Sequence, residues 1–197
     1  MSITNPSRTA VRLHEFAWLR LLKGYYRRFV RSINLNEDEN ILDFGCGPGA
    51  VSRFIAPLLA RKGGELICLD ISRTWIERAK KHLSRFSGVR FISGDIRQHP
   101  LNGLTFDTIV IHFVLHDIQQ RERVEVAERL AALTKPGGRL IIREPSNNSH
   151  GIPPEKIRKL FSRLGFKEIG ATSGRLIPMG DFYTGVYIKQ GPMSTTR

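Results

Sequence analysis

Residues 41–50 read ILDFGCGPGA: two apolar residues, the acid Asp43, then Phe44, then Gly45, Gly47 and Gly49 alternating with Cys46 and Pro48. The first four residues have the pattern of a short buried strand, and a helical pattern starts at Ala50. In an open parallel sheet, ligands sit beyond the carboxyl ends of the strands, where the strand order reverses. The loop falls there. Bare backbone at Gly45 and Gly47 admits a ligand where a Cβ would clash, and the helix start offers free N–H groups to its anionic part. The letters also satisfy a dinucleotide fingerprint through Gly45, Gly47 and Ala50. Asp43 argues against that ligand. An acid two residues before the first glycine would repel a pyrophosphate and suits a ligand carrying a cation, such as an ammonium group.

Outward from this loop the chain alternates. The pattern predicts strands at ILDF (41–44), ELICLD (65–70), VRFISGD (89–95), FDTIVIHFV (106–114) and RLIIRE (139–144). Between and after them it predicts helices over 50–61, 73–86, 119–133 and 155–164, with Ser72 as an N-cap. Interleaving of this kind implies an α/β fold with a parallel sheet covered by helices on both faces. The last two strands, FKEIGATS and FYTGVYIKQ, have no helix between them and should pair as an antiparallel edge hairpin.

The ends of strands two and three carry two more acids, Asp70 and Asp95. A carboxylate at Asp70 can accept both hydroxyls of a ribose. One at Asp95 can take the amino group of an adenine. Taken singly, such acids are often caps or turn residues. Together with Asp43, at three successive strand ends, they fit a ligand with ammonium, ribose and adenine in that order.

The chain has 197 residues, 41% hydrophobic and 25% charged, which suits one soluble domain. It lacks an apolar run of membrane-spanning length and a signal-peptide layout, so a cytoplasmic location is expected. Cys46 and Cys68 form no CxxC or Cys/His cluster, so nothing in the sequence supports a disulfide framework or structural zinc. Charge is concentrated at the ends. Residues 1–35 carry seven Lys/Arg against one Glu, a net of +6, while residues 150–197 carry a net of +5 and residues 36–149 only +2.

The N-terminal segment, 10–32, reads as an amphipathic helix, with Val11, Trp18, Leu22, Tyr25 and Phe29 on one face and Arg20, Lys23, Arg27 and Arg31 in a basic stripe. Gly24 weakens its middle and allows two shorter helices. Three readings stay open for it: a lid with solvated arginines, an interfacial helix on an anionic membrane surface with Trp18 and Phe29 inserted, or a guide for RNA. The organisation expected is a helical lid over 1–35, a ligand-binding domain over 36–190 and a disordered tail over 191–197.

With these landmarks in place, the sequence resembles the class I S-adenosylmethionine-dependent methyltransferases from about Asn40 to Lys189. The matching stretches are ILDFGCGPG, LICLDIS, SGDIRQHP, FDTIVIHFVLHDI, LTKPGGRLIIREP and GFKEIG…GVYIKQ. The resemblance implies a Rossmann-like, doubly wound, seven-stranded sheet in the order 3-2-1-4-5-7-6 with strand 7 antiparallel. It implies that Asp43, Gly45, Cys46, Gly47 and Gly49 hold the methionine part of S-adenosyl-L-methionine and that Asp70 holds the ribose. Ile71, Asp95 and Ile96 would hold the adenine, and His112 and Phe113 would line the cofactor near its sulfonium. FVLHDI and REP resemble the subgroup that methylates quinones and sterols.

In-line methyl transfer needs a base only when the nucleophile arrives protonated. The candidates are His116 and Glu144, with His112, Tyr25 and Tyr26 behind them. No metal is expected, since the His112/His116 pair lacks an acidic trio. The loop HFVLHD replaces the Asn/Asp-Pro-Pro-aromatic loop of enzymes acting on base amines, and neither cysteine is placed as a nucleophile. The reading is therefore methyl transfer to a small or lipid-like acceptor. An RNA methyltransferase and a non-catalytic cofactor-binding subunit are the alternatives.

Overall fold

A computed structural model describes residues 17–98, 101, 103–147, 150–177 and 180–191. The expected tail from 192 on and the helix start at residues 10–16 lie outside these residues, as does the Trp18 side chain. Seven strands follow one another in the sheet order β3-β2-β1-β4-β5-β7-β6, with β7 antiparallel to β5 and β6. This is the doubly wound order that the resemblance implies. The chain divides into two compact units, Met1–Pro100 and Leu101–Arg197. The division falls inside the expected 36–190 domain, and the basic helix shares a unit with the first three strands.

In the first unit, a π-helical turn at Ala17–Leu21 precedes helix α1 (Lys23–Ser32). Then follow β1 (Asn40–Phe44), α2 (Ser52–Leu59), β2 (Glu65–Asp70), α3 (Arg73–Leu83) and β3 (Val89–Ser93). The strands pair in parallel, with Asp43 opposite Cys68 and Asp70 opposite Ser93. Parallel strands covered on both faces must be apolar almost throughout, and Ile41, Leu42, Leu66, Ile67, Cys68 and Leu69 are all buried. Ser72 caps α3 by accepting from the Trp75 amide at 3.4 Å.

The helical pattern of the N-terminal segment breaks at Leu22, next to Gly24, so two helical pieces form. Helix α1 buries Tyr26, Phe29 and Val30 and exposes Lys23, Arg27, Arg28 and Arg31. Phe29 is 1% exposed and belongs to the core. It therefore lies on the inward face, and the interfacial reading, one of the three left open for this segment, cannot use it as an insertion anchor. What α1 presents to solvent is charge.

The second unit comprises β4 (Phe106–His112), a 3-10 turn at Leu115–Asp117, helix α4 (Arg123–Leu133), β5 (Thr134–Pro145), helix α5 (Pro154–Arg163), β6 (Phe166–Leu176) and β7 (Gly180–Lys189). Helix α4 starts four residues later than its periodicity predicts, and β5 extends back through the expected KPGG turn, with a register shift against β4 between Phe106 and Thr108. The edge hairpin is fastened by polar contacts. Glu168 on β6 accepts from Arg158 Nε at 2.9 Å and from the Tyr183 and Tyr187 hydroxyls of β7 at 2.5 and 3.2 Å. Lys189 at the end of β7 donates to the Ala131 and Thr134 carbonyls at 2.7 and 2.8 Å, closing off the C-terminus of α4.

Candidate active site

The glycine loop is fastened to the strand beside it. The amides of Gly45 and Cys46 both donate to the Leu69 carbonyl, at 2.8 and 3.0 Å. Gly47 has φ +53, and a Cβ placed on it would meet nothing within 4 Å. Open space over a left-handed backbone is what a ligand approaching the main chain requires. Gly49 serves packing instead, since a Cβ there would lie 3.3 Å from Leu83 Cδ1 on α3. His82, also on α3, bonds the Pro48 carbonyl at 2.9 Å through Nδ1, which must then carry the proton.

Asp70 does more than end its strand. Its Oδ2 accepts the Gly47 amide at 2.9 Å and its Oδ1 the Ser72 amide at 2.8 Å, so one carboxylate joins the loop to the start of α3. Burial raises its pKa while these two amides oppose the rise. Each oxygen retains acceptor capacity for a ribose hydroxyl. Ile71, next to it, is an exposed large apolar side chain at 51%, which suits a planar ring laid against it, whereas Ile96 is buried.

Asp43 is 1% exposed, and its Oδ2 accepts a short bond from the Ser52 hydroxyl, which in turn accepts from the Cys68 thiol at 3.3 Å. Burial pushes the Asp43 carboxyl up to about 6, against the pull of Ser52. Cys46 is also buried; its thiol is pushed up by a hydrogen bond with Cys68 and by burial, so it stays protonated and inert. The Tyr26 phenol of α1 is pushed up by burial, by Tyr25 and by the charge of Asp43. A phenol so strongly protonated is a donor rather than a base.

Asp95 has a partner within its own loop. Arg97 meets it through Nε at 3.1 and 3.0 Å and Nη2 at 2.6 Å, and the Arg97 amide adds a bond at 2.9 Å. These bonds hold the carboxyl below its ordinary value. An adenine amino group at Asp95 would share it with a guanidinium.

The second unit holds the remaining predicted residues. Glu144, fully buried at the end of β5, accepts the amides of Val114 and Leu115 at 2.9 and 2.7 Å, and that of His116 at 3.3 Å. It also bonds His116 Nδ1 at 2.7 Å, while His116 Nε2 lies 3.5 Å from Asp117. Burial pulls the His116 pKa down, but Glu144 and Asp117 outweigh it and the net shift is upward. His112 goes the other way: burial and the nearby Arg143 cation keep its imidazole neutral. Phe113 stacks edge-on against His112 at 4.4 Å and sits at φ +58. Among the described residues no cluster of three His, Cys, Asp or Glu side chains converges as a metal site would, and no helix is long and apolar enough to cross a membrane.

Comparison with known proteins bears on this geometry. Residues 41–138 match a family described as "Methyltransferase domain". Among curated proteins the chain is similar to carboxy-S-adenosyl-L-methionine synthases: 32% identical to that of Hydrogenovibrio crunogenus over 69% of this chain and 53% of the relative. The protein of the same name from Colwellia psychrerythraea is 27% identical over 71% of this chain and 59% of its own length. The chain thus spans about half the length of the curated relatives it matches. Among solved structures it shares its fold with the N-methyltransferase NodS of Bradyrhizobium japonicum bound to S-adenosyl-L-homocysteine (TM-score 0.73, 19% identity, 91% of each chain). Magnesium protoporphyrin IX methyltransferase of Synechocystis with bound cofactor is similar as well (TM-score 0.68, 20% identity, 94% of this chain and 86% of that one).

Proposed function

We propose, for a chain that belongs to the class I S-adenosylmethionine-dependent methyltransferases, that it transfers the methyl group in line to a small or lipid-like acceptor without a metal. When bound, S-adenosylmethionine supplies a methyl group already activated by its sulfonium. The residues present fit that cofactor. Asp43 offers a buried carboxylate to an ammonium, Gly47 leaves its backbone open, Asp70 keeps lone pairs for ribose, and Ile71 exposes an apolar face. His112 and Phe113 belong in this reading to the reacting end, where a neutral imidazole adds no second positive charge.

The observation that carries the reading is the join between Asp70 and Gly47, 23 residues apart, which turns a glycine loop and a strand end into one ligand cradle. For proton removal, the Glu144 carboxylate is occupied by three amides and an imidazole and so positions rather than acts. With Nδ1–H committed to Glu144, the one nitrogen His116 can offer as a base is Nε2, which lies 3.5 Å from Asp117.

The names of the curated relatives support a second reading, in which the cofactor is itself the substrate: a carboxylic-acid co-substrate gives up its carboxyl group to the cofactor's methyl carbon and keeps the proton which that carbon loses. One experiment tests both. The protein is incubated with isotopically labelled S-adenosylmethionine and pooled quinones, lipids, RNA, small amines and small carboxylic acids, and products are read by mass. A labelled methyl adduct supports the first reading and a carboxylated cofactor the second. Calorimetry in parallel should show S-adenosylhomocysteine binding and no binding of NAD; the reverse result overturns the cofactor assignment.

A further inference from the structure

In the first unit, the solvent face of α1 is a surface of one sign. Arg20, in the turn before the helix, and Lys23, Arg27, Arg28 and Arg31 within it are all exposed. Lys23, Arg27 and Arg31 recur one turn apart, a stripe of cations spaced about 6 Å along the helix, with Arg28 beside them. Like charges at this spacing destabilise a helix, and Lys23–Ser32 contains no acid to offset them. Acids elsewhere in the unit are already engaged. Glu37 meets Arg61 and Lys62 at 3.1 and 3.8 Å, Glu77 meets Lys80 at 2.9 Å and Asp95 meets Arg97 at 2.6 Å. Among the described residues, none of the five cations has an ion pair. The patch is also held in place. Arg53 of α2 donates from Nη1 to the Leu19 carbonyl at 2.6 Å, fixing the turn that carries Arg20 and Leu21. Tyr26, Phe29 and Val30 bury the opposite side of α1. Leu21, ending that turn, is a large apolar side chain left 70% exposed.

We propose that this face docks the protein on a bilayer surface rich in anionic phospholipid, the five cations facing the headgroups and Leu21 entering among them. The docking does not depend on the methyl-transfer reading. A cluster of about four to eight basic side chains on one helix is what an anionic leaflet attracts, each worth about fivefold in partitioning. A rigid row of unpaired cations gains from that field without first breaking ion pairs of its own. More positive charge stands at the start of the segment, where burial and the neighbouring Arg85 lower the pKa of Arg53. An anionic surface relieves that crowding. Two observations favour lipid over RNA as the polyanion. Leu21 gains from an acyl boundary and gains nothing from a phosphate backbone. Bases are held by stacking on exposed rings, and α1 exposes none: Tyr26 and Phe29 are buried, and Tyr25 is half-buried, edge-on to Tyr26 at 5.2 Å.

The full chain is sedimented with vesicles of phosphatidylcholine alone and of phosphatidylcholine mixed with phosphatidylserine, at low and at high salt. It should partition onto the mixed vesicles at least roughly tenfold better, and the difference should shrink at high salt. The triple variant Arg27→Gln, Arg28→Gln, Arg31→Gln should lose that preference, while changing the same three residues to Lys should keep it, since a diffuse field counts charges. All three side chains are exposed, and matching melting temperatures would show that neither variant is unfolded. Leu21→Ser should weaken vesicle binding and leave the binding of an oligouridylate probe unchanged. Equal binding to the two kinds of vesicle at low salt, or a preference that survives the change to Gln, overturns the proposal. So does oligouridylate binding that needs the three arginines while vesicles are not bound, a result that would give the face to RNA.

Discussion

The imidazole of His116 and the carboxylate of Glu144 meet at 2.7 Å, Nδ1 to Oε2, across 28 residues of sequence. The same carboxylate gathers the amides of residues 114–116, so the loop after β4 takes its shape from the end of β5.

Replacing Glu144 by Gln removes the charge and one acceptor without changing the size of the side chain. The pKa of His116 should fall, because the partner that raises it is gone, and its NMR titration would show this. The sign follows for stability. A histidine raised by its partner stabilises the fold fully below the unfolded value of 6.5, and that contribution is lost as pH rises through the folded value. Glu144→Gln should therefore lose more stability at pH 5 than at pH 9, read by urea titration. Equal losses would show that the ion pair carries none of it.

At Asp43 the sign reverses. Its carboxyl moves from 3.8 to about 6 on folding, so the folded state prefers the proton. The cost is absent below the unfolded value and complete above about 6, amounting to about 3 kcal/mol at most. Asp43→Asn should raise the stability of the cofactor-free protein at pH 8 and lower its affinity for S-adenosylhomocysteine by roughly tenfold or more, the worth of a charge-assisted pair. Thermal denaturation and calorimetry measure the two effects. A destabilised variant with unchanged affinity would place the ammonium elsewhere.

Asp70→Ala should loosen the glycine loop, because the Gly47 and Ser72 amides both lose their acceptor. The expected outcome is a loss of about 1–3 kcal/mol of stability together with a far larger loss of cofactor affinity. Hydrogen exchange at the Gly47 amide should quicken. An amide that stays protected would show that another group holds the loop.

Two glycines should respond in opposite ways to alanine. Gly24 lies exposed inside α1 with open space around it, so Gly24→Ala should gain up to about 1 kcal/mol. Gly49 has φ +84 and sits against Leu83 and Ala79, so Gly49→Ala should lose stability by at least about 1 kcal/mol. Melting temperatures of the two variants give the comparison directly.

Much of the fold was legible because it follows from local pattern. Apolar strands such as ILDF and ELICLD, each with an acid in its last two residues, mark a parallel sheet and its binding rim without any long-range knowledge. The bonds that set the rim are of another kind. Asp70 to Gly47, His82 to Pro48 and Glu144 to Leu115 join residues 23, 34 and 29 apart, and no spacing rule foretells them. The late start of α4 is a local matter: residues 119–122 form a turn in which the Glu122 and Arg123 amides donate to the Gln119 carbonyl at 2.8 and 3.2 Å. The Arg97 partner of Asp95 is the exception. An arginine two residues after an acid was there to be read, and it bears directly on how much of Asp95 remains for an adenine.

The clasp of Lys189 on Ala131 and Thr134 carries a practical consequence for anyone who handles this chain. A protease cut, a tag or a fused partner placed after Gly191 leaves the clasp untouched, whereas trimming back past Lys189 takes a charged donor away from two carbonyls and leaves the Ala131 carbonyl, at the end of α4, with the Thr134 amide. The safe place to cut or graft at this end lies beyond that lysine.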